Sequence, residues 1–401
     1  MSLSFPVDTV LAILQRFPRP ADELEQQALA RLKTLDAQEA DSLWEQLCLR
    51  VLLNPVYLEA LWPDACSQHP EMRQLIQRLK ERLWVPDARE QAENDSAQWV
   101  LEQGDAGQHD TLMQRLLSYL KNGNPNGGAP FAFLARYYTW RDVVVTQLVA
   151  PERTELTDRI FGLLDMQNKQ WGKPYCGGYA YQGYARVGIA GVKPTEERLE
   201  GYGFMPWLNG DMSVLEIGCN NGFMAIELAG RAGIVDAVEY NPFLVEIGRI
   251  TAEALALDNV SFQVADFSNW MPARRYDVVL SFANHCTIDG NLAVEFESFV
   301  AKLWGLTQDG GWLLFESHNV FGAGTGAAGD DGDLDRKFDI MERYFELQDS
   351  KMTRAFVPSH DIDKLFVVLR RRPQVLASVQ RSMNLGEARK RYAYQGEPFS
   401  C

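Results

Sequence analysis

The chain is short of the residues that mark several large function classes. Its six cysteines, Cys48, Cys66, Cys176, Cys219, Cys286 and Cys401, are scattered. With no C-x-x-C pair and no histidines at zinc spacing, neither a disulfide scaffold nor a structural zinc module is expected, and the thiols should be reduced. Histidine is scarce too, at five residues, so one that falls beside a strand end stands out. No window holds the ~18 uninterrupted apolar residues of a membrane span. The N-terminus lacks a basic stretch leading into an apolar run, since Asp8 and Arg16 interrupt it; a cytoplasmic protein without membrane contact is expected. Positive charge is in deficit as well: 39 Lys and Arg stand against 54 Asp and Glu, for a net charge of −15, and neither half is basic. A large phosphate-binding face is therefore not expected, which disfavours nucleic acid as a partner and favours a small-molecule substrate.

What the chain does have is length and pattern. At 401 residues, 46% hydrophobic and 23% charged, it is long enough for more than one globular domain. Residues 1–150 read as helices with apolar stripes, among them Leu24, Ala28, Leu32 and Leu35, then Leu43, Leu47 and Val51, then Met72, Leu75, Leu79 and Leu83. Such stripes form a mutually packed helical domain. It carries no catalytic motif and leaves room for a homo-oligomer. Asn122–Gly128 breaks the helices, Phe131–Val149, with Val143, Val144 and Val145, is ambiguous between helix and strand by period and leans to helix, and Thr154–Gln167 is helical again. Residues 151–186 then connect to the next domain through a stretch rich in glycine and tyrosine, from Tyr175 to Gly191. Backbone run close to a ligand with ring faces supplied to it suggests a lid, with Tyr179, Tyr181, Tyr184 and Arg186 as substrate or lid residues. Beyond it, Lys193-Pro194-Thr195-Glu196-Glu197-Arg198 reads as a helix start with Thr195 as the N-cap.

The densest signal is Val214-Leu215-Glu216-Ile217-Gly218-Cys219-Asn220-Asn221-Gly222-Phe223: a buried strand, a glycine turn and a helix, the βα unit that presents backbone N–H groups to a nucleotide-like ligand. A dinucleotide G-x-G-x-x-G counted from Gly218 would need glycines where Asn220 and Phe223 stand, so a pyrophosphate ligand is disfavoured. Three further strands with polar ends follow: Val235–Asn241, which carries the acid Glu239 and Tyr240, Val260–Phe267, with Asp266 at its carboxyl end, and Tyr276–His285, which holds Ser281 and ends in Asn284 and His285. A fifth, Gly310–His318, ends in His318.

In that order, the E-x-G-x-x-x-G turn and the strand-end acids resemble class I S-adenosylmethionine (SAM)-dependent methyltransferases. The resemblance implies an α/β, Rossmann-like seven-stranded domain over residues 187–373, preceded by the all-α domain and followed by a tail, 374–401. It implies SAM as cofactor, held by Glu216, Gly218, Cys219, Asn220, Gly222, Glu239, Tyr240, Asp266, Phe267 and Ser281. Glu239 would take the ribose hydroxyls, Asp266 the adenine amine, and Phe267 the ring. The lead-in before the glycine turn is similar to relatives of the transferase that carboxymethylates the tRNA wobble uridine. Methyl transfer to oxygen or nitrogen of a small or medium metabolite, of the kind met in secondary metabolism, is the favoured reading. RNA modification and a SAM-binding protein without catalysis are the alternatives.

A methyl on a sulfonium is already electrophilic, so the protein needs at most one base, placed where open α/β sheets keep their ligands. His318 and His285 are the candidates. His285, Glu316 and His318 would be the metal alternative, but no metal is expected. Asp331, Asp333, Asp335 and Glu342 fall in an EF-hand register, which Arg336 spoils at the position that needs glycine. Asn319–Gly329 reads as a mobile substrate-side loop, Phe345–Arg354 and Leu365–Arg371 as a closing hairpin, and Arg370-Arg371-Arg372 as a solvated strand end.

Overall fold

A computed structural model describes residues 23–40, 42–43, 141–171, 180–191, 193–285, 290–317, 332–357 and 360–391. The chain divides into two compact units, Met1–Val192 with Pro358–His360, and Lys193–Val357 with Asp361–Cys401. Most of the helical stripes read from residues 44–140 lie outside the described residues, as do Tyr179, His318 and the glycine-rich stretch after it.

In the first unit, α1 (Glu23–Leu32) buries Ala28 and Leu32 as the stripe requires, and also Glu25. Glu25 is inside because the buried Arg141 meets it at 3.2 Å. Residues 141–149 are helical and Val143, Val144 and Val145 are fully enclosed. Packing here outweighs the strand preference of β-branched residues. A second helix, α2, spans Thr154–Gln170. The end of the glycine–tyrosine stretch is packed rather than loose. Asp142 accepts from the Ala190 N–H at 3.0 Å, Tyr184 and Ile189 exchange backbone hydrogen bonds of 2.7 and 3.2 Å, and Arg153 donates to the Ala185 carbonyl at 3.1 Å.

The second unit opens with α3 (Thr195–Tyr202). Its N-cap is Pro194, not Thr195, and Thr195 sits one step inside the helix with its hydroxyl buried. Then come β1 (Ser213–Ile217), α4 (Phe223–Ala229), β2 (Ile234–Glu239), α5 (Pro242–Ala254), β3 (Val260–Val264) and β4 (Tyr276–Phe282). They are followed by α6 (Phe296–Leu306), β5 (Thr307–Glu316), α7 (Leu334–Tyr344), β6 (Phe345–Val357), β7 (His360–Arg371) and α8 (Leu385–Arg391). The sheet order is β3-β2-β1-β4-β5-β7-β6. Strands β3, β2, β1, β4 and β5 are parallel, and β7 runs antiparallel to β5. Helices cover the sheet, so β1 and β4 are near-continuous apolar runs, with Leu215, Val279 and Leu280 wholly buried. The chain reverses direction across the sheet between β1 and β4, which puts a ligand crevice at their carboxyl ends.

The acidic run gains a local role, and one local expectation changes. Asp333 is the N-cap of α7, its Oδ1 accepting from the Arg336 N–H at 3.0 Å, so this part of the acidic run serves a helix. Arg371 is buried instead of solvated: it pairs with Asp309, donates to the Trp304 carbonyl at 3.0 Å, and lies 4.0 Å over the Trp304 ring. The tail also contributes: Met383 and Leu385 enter the core, and Glu342 accepts the N–H groups of Ser382 and Met383 at 2.6 and 2.8 Å.

Candidate active site

The glycine turn after β1 spends its donors inside the protein. The N–H groups of Gly218 and Cys219 both reach the Val238 carbonyl, at 2.9 and 3.0 Å. The Asn220 N–H goes to Glu239 Oε2 at 3.0 Å, that of Asn221 to Asn220 Oδ1 at 2.9 Å, and that of Gly222 to the Cys219 carbonyl at 2.9 Å. Five consecutive donors are therefore committed, contrary to the expectation that this turn would offer them to a ligand. A pyrophosphate would find none of them. What the turn offers is its backbone surface at Gly218, the exposed residue in an otherwise enclosed stretch. Gly218 and Gly222 have φ of +67° and +77°, and a Cβ on Gly222 would come within 2.4 Å of the Phe262 ring. Both positions therefore require glycine.

Glu239 closes the end of β2 against this turn. One carboxylate oxygen accepts from Asn220 and the other from the Asn241 N–H, each at 3.0 Å. Next to it, Tyr240 is 44% exposed, a large ring beside an acid. Asp266 lies two residues beyond β3 and uses Oδ1 to accept the Ser268 N–H at 2.9 Å. Phe267 turns inward: it is buried, edge-on to Phe299 at 5.8 Å, with Lys302 4.4 Å from its ring centre. The ring expected to face a ligand is thus part of the core.

Ser281, also buried, donates to Asn284, whose amide in turn donates to the Ile217 carbonyl and lies beside Gly218. It braces the turn from the end of β4. Cys219 is enclosed, and burial pushes its thiol well up, so it stays neutral. His285 is wedged edge-on between Phe296 and Phe299, at 4.9 and 5.0 Å, with Nε2 3.0 Å from the Val294 carbonyl. A carbonyl partner fixes Nε2 as the donor, and burial holds the ring below its usual pKa, hence neutral. In the first unit, Tyr184 is buried, Arg186 donates to its hydroxyl at 3.2 Å, and Tyr181 is half-buried.

Glu216 is a carboxyl in the wrong place for a charge. It is 3% exposed, burial pushes its pKa up to about 8 against the pull of Arg198, and Oε2 has no hydrogen-bond partner among the described residues. At neutral pH it holds its proton. Asn221 is fully buried with both side-chain polar atoms equally unsatisfied. Orphaned buried polar groups are rare enough to call for a ligand or water.

Sequence reasoning missed a cluster centred on Glu316, at the end of β5. Tyr202 donates its O–H to Glu316, and Arg198 donates to the Tyr202 oxygen through Nε at 3.2 Å and Nη2 at 2.9 Å. Lys364 approaches Glu316 Oε1 to 3.4 Å and Arg198 to 3.9 Å. Burial opposes ionisation of Glu316, but Lys364, Arg198, Lys193 and the Tyr202 hydroxyl override it and hold the pKa at about 2. Burial likewise lifts the Tyr202 phenol well above its ordinary range. The i, i+4 spacing of Arg198 and Tyr202 was the one sequence signal for this pair. Nothing in the sequence connects either residue to Lys364.

These features fit an adenosine-plus-amino-acid cation. Glu239 closes a turn whose N–H groups are committed, a partly exposed aromatic ring adjoins this acid, and the buried Glu216 carboxyl and Asn221 amide are orphaned. Residues 208–363 match a family model described as a methyltransferase domain. A search of curated proteins finds no match. Among solved structures, the chain is similar to the N-methyltransferase NodS from Bradyrhizobium japonicum WM9 in complex with S-adenosyl-L-homocysteine, at 16% identity over 54% of this chain and 100% of that one, with a TM-score of 0.37. It is also similar to a SAM-dependent methyltransferase from Aquifex aeolicus, at 16% identity over 45% and 91% of the two chains, with a TM-score of 0.34. Likeness at this level adds nothing to the family match and the site geometry.

Proposed function

We propose that residues 208–363, which match a family model described as a methyltransferase domain, form a class I SAM-dependent methyltransferase domain that moves the methyl group to an oxygen or nitrogen of a small or medium-sized metabolite. The observation that carries this reading is the glycine turn, whose donors are consumed internally while Glu239 is pinned against it and the partly exposed Tyr240 adjoins it. When bound, SAM supplies a methyl already activated as an electrophile. Glu239 would hold the ribose hydroxyls, Tyr240 would cover a face of the adenine, and the Gly218 backbone would lie under the amino-acid arm. The crevice between β1 and β4 keeps the acceptor at the carboxyl ends of the strands.

The groups around Glu316 keep their protonation states: Glu316 stays a carboxylate and Tyr202 a neutral phenol. A carboxylate held at about 2 is a poor base, and a phenol raised by burial is a poor acid. His285 is committed to bracing the segment after β4. We therefore assign the base, where the acceptor needs one, to His318, the residue after Ser317 at the end of β5. The acidic balance of the chain supports a small acceptor over RNA. Incubation of the full chain with methyl-labelled SAM and cell extract tests this reading. Label should appear in the low-molecular-mass fraction, and label confined to RNA, or none transferred, would refute it.

A further inference from the structure

The cluster on Glu316 gathers cations from three separated segments onto one spot. Lys193 precedes α3, Arg198 is on α3, and Lys364 is on β7; the two lysines are 4% and 3% exposed. In a chain of net charge −15, three cations around one acid make a local field of the opposite sign. The cluster lies where open α/β sheets keep their ligands. Phe282, Glu316 and Phe366 lie in one row across β4, β5 and β7, at the carboxyl end of the two parallel strands. Tyr202 stacks on Phe366 at 4.7 Å and tilts against Phe282 at 4.8 Å, giving the cluster an aromatic floor.

Two further groups beside these cations point to a ligand. Thr195 is wholly buried, one helical turn before Arg198 on the same face of α3, and its hydroxyl has no hydrogen-bond partner among the described residues. Glu216, close enough to Arg198 to feel its charge, likewise keeps Oε2 buried without a partner. Holding its proton, Glu216 is a donor, as the Thr195 hydroxyl is. The cations and both orphaned groups can all donate. An acceptor-only ligand answers that set, and a carboxylate or phosphate is one.

The geometry points to Lys193, Arg198 and Lys364, with Thr195 and the Glu216 carboxyl, as the seat of an anionic group, a carboxylate or phosphate, carried by the methyl acceptor. This rests on the methyltransferase reading above and narrows its substrate class to acidic metabolites. Glu316 and Tyr202 then act as positioning residues, keeping the cations at fixed places by ion pairing and hydrogen bonding. The same chemistry is present in the amino-acid carboxylate of the cofactor, so the test must separate the two sources.

The experiment uses the full chain saturated with S-adenosylhomocysteine and titrated with inorganic phosphate and with succinate, read by phosphorus NMR line broadening and by shift of the melting temperature. Saturable binding of at least one anion is expected. Lys364→Met should weaken it about tenfold or more while S-adenosylhomocysteine affinity stays within about twofold; should that variant misfold, Arg198→Lys is read the same way. Absence of saturable anion binding to the wild-type complex would overturn the proposal. So would a variant that binds S-adenosylhomocysteine about tenfold more weakly but 5′-methylthioadenosine, which lacks the amino-acid arm, as well as wild type does, because the anion would then be the cofactor's own. Failure of the wild type to bind S-adenosylhomocysteine at all would instead remove the methyltransferase reading, with the phosphate titration of the free protein still deciding whether the cluster binds anions.

Discussion

Replacing Glu239 by alanine perturbs two things at once, and the structure lets them be separated. In the free protein its carboxylate holds the Asn220 and Asn241 N–H groups, each at 3.0 Å. Hydrogen bonds to a charged group contribute about 1.5–3 kcal/mol when buried, and less where water can replace the lost partner. Glu239 and Asn220 are half-buried, so a stability loss of about 1–2 kcal/mol is expected. The cofactor would lose its ribose hydrogen bonds in addition, about 1.5–3 kcal/mol, which is at least about tenfold in affinity. Glu239→Gln keeps one acceptor oxygen and should fall between wild type and alanine on both scales. Calorimetric titration with S-adenosylhomocysteine reads the affinity, and thermal melting reads the stability. A folded alanine variant with affinity within twofold of wild type would refute the reasoning, leaving Glu239 as a clamp on the turn and nothing more.

Three other outcomes follow from the same geometry. Gly222→Ala should lower stability by several kcal/mol or abolish folding, because the new Cβ meets the Phe262 ring at 2.4 Å in a backbone of φ +77°; a melting temperature unchanged within a degree or two would contradict this. Glu216 should impose a pH slope: with its folded pKa raised to about 8 from 4.5, its contribution is fully present below the unfolded value. That contribution is lost as pH rises toward 8, by up to about 1.4 kcal/mol per pH unit. Melting between pH 5 and 8 should show the slope, and Glu216→Gln should flatten it; an equal slope in both proteins would count against a protonated Glu216. His318→Gln should lower kcat about 10²–10⁴-fold with cofactor affinity intact, whereas His285→Gln should mainly lower stability; turnover near wild type in both would leave positioning alone as the source of rate.

The sheet was legible because buried parallel strands leave apolar runs that end in Gly218, Glu239, Asp266 and Asn284, and those ends are where ligands collect. Which strand-end residues face the crevice was not legible. Phe267 and Ser281 stand at suitable positions in the sequence, yet one is drawn into the core by Phe299 and Lys302 and the other is spent on Asn284. Arg371 looked like a solvated charge because sequence spacing cannot show Trp304 and Asp309 arriving from α6 and β5. The Glu316 cluster was hidden for the same reason. Its members are separated by up to 171 positions, from Lys193 to Lys364, and only the register of β5 with β7 and the path of α3 bring them together. The packing of the end of the glycine–tyrosine stretch was not legible either, because no spacing announces that Asp142 accepts the Ala190 N–H or that Tyr184 and Ile189 exchange backbone hydrogen bonds.

The central claim, that the turn after β1 holds an adenosine-bearing cation and not a dinucleotide, is tested most directly by equilibrium dialysis of the full chain against SAM and, separately, against NAD. The committed N–H groups of residues 218–222 leave no cradle for a pyrophosphate. Saturable binding of SAM at one site per chain, with no saturable binding of NAD at the same concentrations, is the expected result. Saturable binding of NAD, or failure to retain SAM, would contradict the account.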